Sequence, residues 1–402
     1  MSTPESALAE AIAAHQGGRL PEALAGYESV LRERPDDPDA LHFFGMLHFQ
    51  LGRGIDAVKL IGRSLDLMPG NPHAWNNLGN ILTFQDKFAE AREAWRRVIA
   101  IAPGMAEAWF NLGVSLRDSG DYEAAVKHLQ MAIQQQPTFV RAYESLGQLF
   151  YRLGDFVQAA GAYRQWLALD PDNPMARHMV AATSGVDVPE RADGEYVTKL
   201  FDRYARHFDV NLRELGYRAP ELVTSMLSAV VDPAAKLDIL DAGCGTGLCG
   251  PLLRPLASKL IGVDLSSKMV DLARERGGYD ELVVGDLCAF MTSHPAQFDT
   301  VVAADTLEYF GSLKAVCESA AITLRPGGLF LFTVEALPED AAEPYKLEVH
   351  GRYVHRPSYV TQSLQEAGFE VLQLGLETLR VERMQDVKGL VALAQLQGSA
   401  VA

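Results

Sequence analysis

The arrangement of apolar and polar positions changes near the middle of the chain. Up to about residue 170, apolar and small residues recur with one long period. From about Leu237, short apolar runs such as LDILDAG, KLIGVD and FDTVVAAD alternate with helix-like stretches such as SSKMVDLARER. Alternating strands and helices predict an open parallel sheet with helices on both faces. We therefore expect an all-helical part followed by an α/β part.

Three residue classes share a period of 34 residues in the first half. The repeated prolines, glycines and alanines are Pro35, Pro69, Pro103, Pro137 and Pro171; Gly45, Gly79, Gly113 and Gly147; and Ala23, Ala57, Ala91, Ala125 and Ala159. This period is the signature of tetratricopeptide repeats, each a pair of antiparallel helices. The glycine lets two helices approach closely, the alanine fills their crossing point and the proline ends the second helix. Trp75, Trp109 and Tyr143 precede the glycines by a constant step and are expected to pack between repeats.

The array is predicted to hold five repeats and a capping helix. The first repeat is atypical, with Ala11 in place of glycine and Ala7 in place of an aromatic residue, as expected of a terminal repeat. The segment after Pro171 is expected to form a helix that covers the last repeat. The predicted domains are a helical solenoid over residues 1–183, a linker over 184–194 and an α/β domain over 195–402.

Asn77 and Asn111 occupy equivalent positions in consecutive repeats. Because an asparagine amide both donates and accepts hydrogen bonds, the two side chains are candidates to bind a peptide backbone in the repeat groove. The alternative is that asparagine is simply a common residue at this position. Phe43 and Ser145 interrupt the ladder and favour that alternative.

The composition indicates an ordinary globular protein. The chain has 402 residues and a formal net charge of −16, with 36 Lys and Arg against 52 Asp and Glu. This balance argues against duplex nucleic acid as a partner, because phosphate backbones attract clustered Lys and Arg. We expect no membrane span and no secretory signal, hence a cytoplasmic protein. The four cysteines form no CxxC pair and are expected to be free thiols.

The most specific motif is LDILDAGCGTGLCG. Asp241 ends the first predicted strand, and Gly243, Gly245 and Gly247 form the turn into the next helix. Glycines at this position let the backbone approach a ligand. A dinucleotide-binding loop requires a third glycine where this chain has Leu248, and Asp241 would repel a pyrophosphate. The same carboxylate suits an aminoacyl nucleoside that carries an ammonium group.

This motif resembles the glycine-rich motif of class I S-adenosylmethionine-dependent methyltransferases. The resemblance runs from about Tyr196 to the C-terminus and also includes the turn LRPGGLFLF. It implies that Asp264 binds the ribose hydroxyls, that Met269 packs on the adenine, and that Asp286 and the backbone amide of Leu287 lie beside the adenine. It further implies S-adenosylmethionine as cofactor and a seven-stranded, mostly parallel sheet that closes with a hairpin.

The segment LFDRYARHFDVNLRELGYRAPELV resembles the N-terminal segment of bacterial methyltransferases that also carry tetratricopeptide repeats. In those enzymes it closes over the cofactor, so Tyr204 and Phe208 are candidates to cover the methionine end. Packing of an amphipathic helix explains the same two residues equally well.

Candidates for chemistry follow the fourth and fifth predicted strands. Methyl transfer from a sulfonium needs mainly alignment, with a general base only when the nucleophile arrives protonated. Asp305 and Tyr309 follow the fourth strand, although Asp305 also suits a helix cap. The insertion 336–358 is the expected substrate cap. It holds His350 and His355 as candidate bases, His355 preferred, and Arg352 and Tyr353 as candidate substrate-binding residues. No third ligand lies near the histidines to favour a metal.

Three functions remain open at this point. The first is a methyltransferase acting on an O or N nucleophile of a protein or peptide that the repeat array recruits. The second is a methyltransferase of a small metabolite or natural product, with the repeats serving dimerisation or assembly. The third is a scaffold that binds the cofactor without catalysis. The complete set of Asp241, the glycines, Asp264 and Asp286 argues against the scaffold.

Overall fold

The computed structural model describes residues 4–232, 234–382 and 384–398. The chain divides into two compact units, which meet in sequence between Leu169 and Asp170. None of the helices in the described ranges has both the length and the apolar character needed to cross a bilayer.

The first unit consists of consecutive helix pairs. Each pair is joined by a short turn, and the helices within a pair make the most extensive contacts. In chain order the helices are α1 Pro4–Gln16, α2 Leu20–Glu33, α3 Pro38–Gln50, α4 Gly54–Leu67, α5 Pro72–Phe84, α6 Phe88–Ile101, α7 Ala106–Asp118, α8 Tyr122–Gln135, α9 Val140–Leu153 and α10 Phe156–Leu169.

The periodic glycines allow the two helices of each pair to approach closely, as predicted. A Cβ built on Gly147 would lie 2.3 Å from the ring of Tyr163, and one on Gly79 would lie 2.5 Å from the indole of Trp95. The partners of the four glycines are themselves one period apart: Ile61, Trp95, Leu129 and Tyr163. The periodic alanines are all fully buried.

The periodic aromatic residues also have a shared hydrogen bond. Each donates to the carbonyl of the proline six residues earlier, and so ties the start of one helix pair to the end of the preceding one. The bonds are Trp75 Nε1 to Pro69 O at 2.9 Å, Trp109 Nε1 to Pro103 O at 2.7 Å and Tyr143 Oη to Pro137 O at 3.1 Å.

The second unit is an α/β domain. Its helices are α11 Pro174–Ser184, α12 Gly194–Tyr204, α13 Phe208–Glu214, α14 Ala219–Val230, α15 Gly250–Leu253, α16 Ser267–Arg276, α17 Leu287–Ser293, α18 Lys314–Thr323 and α19 Pro357–Glu366. Short 3-10 helices span Ala205–His207 and Leu307–Tyr309. Its strands are β1 Leu237–Ala242, β2 Ala257–Asp264, β3 Glu281–Val284, β4 Phe298–Ala303, β5 Leu324–Ala336, β6 Tyr345–Leu347, β7 Tyr353–His355, β8 Phe369–Glu382 and β9 Gln385–Leu396.

The sheet is mostly parallel, as predicted. Strands β3, β2, β1, β4 and β5 follow one another in parallel, and β9 and then β8 extend β5 in antiparallel fashion as the predicted closing hairpin. Within the described residues the sheet has nine strands rather than seven. The difference arises because the insertion 336–358 folds into the antiparallel pair β6–β7, which joins the end of β5.

The core of this unit lies on both faces of the sheet. Ile239 and Leu240 are neighbours on β1 and belong to different buried clusters, because successive strand residues point to opposite faces. Burial on both faces is the reason that the strands read as continuous apolar runs in the sequence.

The helix after Pro171 differs from its predicted place. Residues Pro174–Ser184 were assigned to the end of the solenoid, whereas α11 belongs to the second compact unit. A ring N–H of His178 donates to the carbonyl of Gly351 at 2.8 Å, and the His178 ring stacks on Tyr196 with centroids 3.8 Å apart. The apolar side of α11 packs in a cluster that contains Ala181, Ala182, Leu347 and Tyr353.

Candidate functional site

The glycine-rich turn follows β1 at the carboxyl end of the sheet. Gly243, Gly245 and Gly247 have φ values of 83°, 52° and 83°, in the left-handed region that favours glycine. A Cβ on Gly243 would lie 2.2 Å from Thr306 Oγ1, and one on Gly247 would lie 3.1 Å from Ala273. A Cβ on Gly245 would meet nothing within 4 Å. The turn is therefore packed at both ends and open at its middle residue.

Asp241 and Asp264 lie on the same face of the sheet beside this turn. Asp241 pairs with Gly262 in the parallel register of β1 and β2, and Asp264 follows Gly262 by two residues. One Asp264 oxygen accepts the N–H of Gly245 and the other accepts the N–H of Ser266, both at 2.9 Å. Burial is the main cause that raises the pKa of Asp264.

The carboxylate of Asp241 is buried, with 1% of the residue exposed. Its Oδ2 accepts a hydrogen bond from the hydroxyl of Tyr279 at 2.6 Å. Its Oδ1 is buried and has no hydrogen-bond partner among the described residues. Burial raises the pKa of Asp241 to about 7, although the Tyr279 hydrogen bond opposes that rise.

These features fit an aminoacyl nucleoside. A buried carboxylate oxygen without a partner suits an ammonium group, because a buried polar atom is costly unless it is paired. The open side of Gly245 gives a ligand access to the backbone, and the carboxylate of Asp264 at the end of β2 can accept from ribose hydroxyls. Asp241, the three glycines and Asp264 are thus brought together as the sequence predicts.

Asp286 is engaged by the protein itself. One of its oxygens accepts the N–H of Ala289 at 2.9 Å and caps α17, and the other forms an ion pair with Arg191. The Arg191 guanidinium also lies 4.8 Å from the centroid of the Phe310 ring. Arg191 belongs to the segment predicted as a linker. Burial tends to raise the pKa of Asp286, but the hydrogen bond from Arg191 helps to lower it below its usual value.

Met269 and the side chain of Leu287, whose backbone amide is implied to lie beside the adenine, lie in the interior. Met269 is fully buried and the Leu287 side chain belongs to the core cluster on one face of the sheet. The resemblance implies that Met269, on α16, packs on the adenine, and that role stays a prediction. Tyr204, implied to cover the methionine end, is 48% exposed.

The segment from α12 to α13 packs on the glycine turn and on α16. Thr246 Oγ1 donates to Asp209 at 2.6 Å, and Asp209 also forms an ion pair with Arg276. Ser266 Oγ donates to Asp202 at 2.6 Å. These contacts hold the segment against the glycine turn and α16.

A buried charge cluster occupies the ends of β4, β5 and β8 and the β6–β7 insertion. We use this name for Asp305, Glu308, Glu335, Arg352, Arg380 and Glu382. Arg380 is 3% exposed and is the centre of the cluster. Its Nη1 donates to both oxygens of Asp305 at 3.0 and 3.1 Å, its Nε donates to Glu382 at 2.7 Å, and it forms a further ion pair with Glu335.

Arg352, a predicted substrate-binding residue, takes part in the same cluster. Its Nε donates to Glu335 at 2.6 Å and its Nη2 donates to Glu382 at 2.7 Å. Glu308 is 2% exposed, and its Oε2 has no hydrogen bond and lies 3.7 Å from Arg380 Nη2. Burial raises the pKa of Glu308 well above its usual range. The guanidinium of Arg352 is therefore engaged by carboxylates of the protein.

Neither predicted histidine base has the setting that was expected. His355 is fully buried, and its Nε2–H donates to the carbonyls of Phe310 and Gly311 at 2.8 and 3.1 Å. His350 Nδ1 accepts the N–H of Arg352 at 3.2 Å, and its Nε2 lies 3.4 Å from Glu335. Burial lowers the pKa of each histidine to about 4. Both histidines are held by these contacts because the insertion predicted as a substrate cap pairs with the end of β5.

Tyr353 and Tyr309 are also held within the fold. Tyr353, predicted to bind substrate, is fully buried, and its hydroxyl donates to the carbonyl of Pro189 at 2.7 Å. The Tyr309 ring meets Phe201 edge to face, with centroids 5.5 Å apart. Burial raises the pKa of the Tyr309 hydroxyl well above its usual range, so this group stays protonated. Asp305 adopts a φ of 56°, which is uncommon for a residue other than glycine.

The predicted asparagine ladder is paired within the repeats. The Asn77 amide donates to His42 Nε2 at 2.9 Å. The Asn111 amide donates to Asn76 Oδ1 at 3.3 Å and to Asn80 Oδ1 at 3.1 Å. The donors expected to bind a peptide backbone therefore join neighbouring helices in this structure.

Sequence reasoning missed Tyr279, Arg191 and four members of the charge cluster, namely Glu308, Glu335, Arg380 and Glu382. Glu335 ends an apolar run, and the same reasoning that selected Asp241 could have found it. Tyr279, Arg191 and Arg380 carry no local signal, because their partners lie far away in the sequence. Among the described residues, no group of three or more His, Cys, Asp or Glu side chains is arranged to hold a metal.

Two family models match the chain. A model described as a methyltransferase domain matches residues 240–332, which contain the glycine turn, Asp264 and Asp305. A model described as a tetratricopeptide repeat matches residues 8–72, 44–105, 76–138 and 115–174.

Three curated relatives of this chain are methyltransferases by name. A malonyl-[acyl-carrier protein] O-methyltransferase from Enterobacter lignolyticus is 31% identical over 151 residues, which are 37% of this chain and 57% of that protein. A ubiquinone biosynthesis O-methyltransferase from Thiobacillus denitrificans is 26% identical over 183 residues, 40% of this chain and 79% of that protein. The human methyltransferase-like protein 27 is 32% identical over 166 residues, 40% of this chain and 64% of that protein. The chain spans little more than half the length of the first of these relatives.

Solved structures resemble each part. MamA from Desulfovibrio magneticus RS-1 has 23% identity and a TM-score of 0.39, covering 42% of this chain and 96% of that chain. A putative S-adenosylmethionine-dependent methyltransferase from Listeria monocytogenes has 19% identity and a TM-score of 0.35, covering 43% and 97%. The family matches, rather than these structural likenesses, identify the two parts. The chain joins an array of tetratricopeptide repeats to a methyltransferase domain.

Proposed function

We propose that the protein is an S-adenosylmethionine-dependent methyltransferase that methylates an oxygen or nitrogen nucleophile of a protein or peptide. The observation that carries this proposal is that the buried carboxylate of Asp241 and the half-buried carboxylate of Asp264 lie on one face of the sheet beside an open glycine turn. The family match over this same segment supports it.

S-adenosylmethionine, when bound, supplies an electrophilic methyl group on a sulfonium that leaves as a neutral thioether. The residues of this chain bind this donor and orient it. Asp241 offers its unpaired Oδ1 to the ammonium group, and Asp264 offers its remaining lone pairs to the ribose. Binding of this kind accelerates transfer mainly by alignment of the reacting atoms.

The acceptor is expected at the carboxyl ends of β4 and β5, where open α/β sheets bind their substrates. Thr306 hydrogen-bonds the carbonyl of Gly243 at 3.3 Å, so the residues that follow β4 adjoin the glycine turn. Both oxygens of Asp305 accept from Arg380, and His350 accepts a backbone N–H through Nδ1. His355 donates through Nε2, and its partnerless Nδ1 is fully buried, so it is closed to an acceptor. We therefore assign Asp305 and Tyr309 to the lining of this region and assign proton removal to none of the predicted bases.

A protein-borne acceptor is favoured by the repeat array, since such solenoids commonly bind extended polypeptides. The relative from Enterobacter lignolyticus is named for malonate carried on an acyl-carrier protein, and both it and the relative named for ubiquinone biosynthesis are O-methyltransferases. We therefore place an oxygen acceptor on a protein or peptide first.

A small-molecule acceptor is the second candidate. Relatives named for ubiquinone biosynthesis favour it, because ubiquinone is not carried on a protein chain. In that case the repeats would serve dimerisation or assembly of the enzyme.

Calorimetry tests the cofactor assignment. The wild-type chain is titrated with S-adenosylmethionine and S-adenosylhomocysteine, beside Asp264→Asn and a control, Asp299→Asn. Asp299 also accepts a backbone N–H, from Asp238 at the start of β1, so the control removes a similar carboxylate at the other end of the sheet. We expect binding to the wild type and the control and strongly weakened binding to Asp264→Asn. No binding to the wild type contradicts the proposal.

Labelled methyl transfer distinguishes the two substrate classes. Wild-type protein and Asp264→Asn are incubated with labelled S-adenosylmethionine and cell lysate, and the products are separated by size. Label in the macromolecular fraction with the wild type alone supports a protein or peptide acceptor. Label confined to the small-molecule fraction supports the second candidate.

A further inference from the structure

Tyr279 lies between α16 and β3, directly after Gly277 and Gly278. Its ring fills a space that three other glycines leave open. The distance from a built Cβ to the Tyr279 ring would be 3.2 Å on Gly247, 2.6 Å on Gly250 and 3.0 Å on Gly262. These glycines belong to the turn, to the start of α15 and to β2, so the ring packs against all three elements that form the cofactor region.

The hydroxyl of Tyr279 is the single side-chain donor to Asp241 within the described residues. It donates to Oδ2 at 2.6 Å, while Oδ1 stays buried and without a partner. A carboxylate with one oxygen fixed has its plane restricted, so the direction of the second oxygen is also restricted. The two observations, a fixed oxygen and an orphaned one, belong to the same buried group.

We propose that Tyr279 is a positioning residue that holds Asp241 with Oδ1 directed at the ammonium group of the methyl donor. This inference rests on the proposed function. Tyr279 itself touches neither the donor nor the acceptor. Its contribution is to orient the carboxylate before the donor binds, which reduces the ordering that binding requires.

The surroundings of Asp241 give this hydrogen bond its importance. The carboxylate of Asp264, on β2, repels the negative charge of ionised Asp241. The thiols of Cys244, on the turn, and Cys249, next to α15, are buried near Asp241, and burial raises the pKa of each thiol. Tyr279 is thus the group that favours the ionised form of Asp241. The ammonium group of a bound methyl donor would neutralise the negative charge of Asp241.

The test compares two ligands on Tyr279→Phe, which keeps the ring that packs on the glycines. S-adenosylhomocysteine carries the ammonium group, whereas methylthioadenosine lacks the whole amino-acid tail. We expect Tyr279→Phe to bind S-adenosylhomocysteine about tenfold more weakly, because a hydrogen bond to a charged group is removed. Binding of methylthioadenosine is expected to be unchanged.

Tyr143→Phe is the matched control. It also removes a tyrosine hydroxyl that donates a hydrogen bond, here to the carbonyl of Pro137 in the repeat array. We expect this variant to bind both ligands as the wild type does.

The pH dependence of S-adenosylhomocysteine binding supplies a readout that packing alone would not change. The pKa of Asp241 is about 7 with the Tyr279 hydrogen bond in place, and that bond lowers it. Removal of the hydroxyl should therefore raise the pKa of Asp241. We expect the pH below which affinity falls to be higher in Tyr279→Phe than in the wild type.

The outcomes separate this inference from the proposed function. If the wild type binds neither ligand, the proposed function fails. If the wild type binds and Tyr279→Phe loses affinity equally for both ligands, or loses none, the positioning role fails. If Tyr279→Phe does not fold, Asp241→Asn is measured in its place, and an equal effect on both ligands overturns the inference.

Discussion

The two units of this protein depend on interactions of different range. In the repeat array, the same contact recurs in three consecutive periods and joins residues near in sequence, such as Trp75 and Pro69, six residues apart. In the methyltransferase domain, the site is joined by single contacts between distant residues. Asp305 and Arg380 are 75 residues apart, and Arg191 and Asp286 are 95 apart.

The difference explains where sequence reasoning succeeded. A contact that recurs in every repeat requires the same residue at equivalent positions, and this periodicity is detectable in the sequence without knowledge of the fold. A single long-range contact involves two residues that no sequence pattern connects. Each of the following predictions tests one side of this comparison, from the largest expected effect to the smallest.

Replacing Arg380 by methionine should give the largest loss of stability. Arg380 is buried and pairs with Asp305, Glu335 and Glu382. Its removal leaves Asp305 without its arginine partner and leaves Glu335 and Glu382 with Arg352 alone. We expect the free energy of unfolding to fall by about 3–5 kcal/mol in a denaturant titration.

Arg325→Met is the control for that substitution. Arg325 also bridges carboxylates of two strands, Asp238 and Asp299, but its side chain is 41% exposed. We expect a loss below about 1 kcal/mol, because exposed ion pairs contribute little. Similar losses for both arginines would mean that the buried charge cluster is not the stabilising feature inferred above.

Gly147→Ala should destabilise the repeat array. The added Cβ would lie 2.3 Å from the rigid ring of Tyr163, so we expect overpacking to cost about 1–3 kcal/mol. Gly161→Ala, on α10, is the control: a Cβ there meets nothing within 4 Å, and we expect it to stabilise the helix by about 1 kcal/mol. Circular dichroism during denaturation measures both. Equal effects would remove the close helix approach as the reason for the periodic glycine.

Asp241→Asn should stabilise the methyltransferase domain in a pH-dependent way. The pKa of Asp241 in the folded protein, about 7, exceeds its usual value of 3.8, so folding favours the protonated form. The stability that this group contributes is full below about pH 3.8 and is lost as the pH rises through 7. We therefore expect the variant to gain more stability over the wild type at pH 8 than at pH 5.

Asp238→Asn provides the opposite case for the same denaturant titrations. Hydrogen bonds from Ser258 and Arg325 lower the pKa of Asp238. Its contribution is present above its usual pKa and is lost only as the pH falls through the lowered one, so its effect should be the same at pH 5 and pH 8. A pH-independent effect of Asp241→Asn would contradict the inference that burial disfavours the ionised form of Asp241 beside the glycine turn.

Trp75→Phe and Trp109→Phe should have the smallest effects, and equal ones. Each removes one indole N–H bond to a proline carbonyl, which is expected to cost about 1 kcal/mol. Thermal or chemical unfolding of the two variants tests whether equivalent positions of the array are energetically equivalent. A clear difference between them would show that the repeats do not share this contact equally.

Much of the fold could be predicted from the sequence. The period placed the helix pairs and the roles of Gly147 and its equivalents, and the strand pattern placed the parallel sheet and its closing hairpin. The helix over Pro174–Ser184 was assigned to the wrong unit, because it follows the repeat period through Pro171 but packs with Leu347 and Tyr353. The insertion 336–358 showed no strand pattern strong enough to predict β6–β7.

The proximity of Asp241, the glycine turn and Asp264 was easier to predict than the surroundings of the residues that follow β4 and β5. Asp241, the glycines and Asp264 lie at strand ends, where local sequence and parallel topology suffice to bring them together. The roles of His355, Arg352 and Asp305 depended on partners from other segments, namely the carbonyl of Phe310, Glu335 and Arg380.

The sequence by itself determined the two kinds of architecture and the position of the glycine turn, because repeat spacing, strand pattern and backbone conformation are local properties. The tertiary structure alone decided which charged groups are neutralised and which remain available. That decision depends on burial and on the nearest opposite charge, and both are supplied by residues distant along the chain.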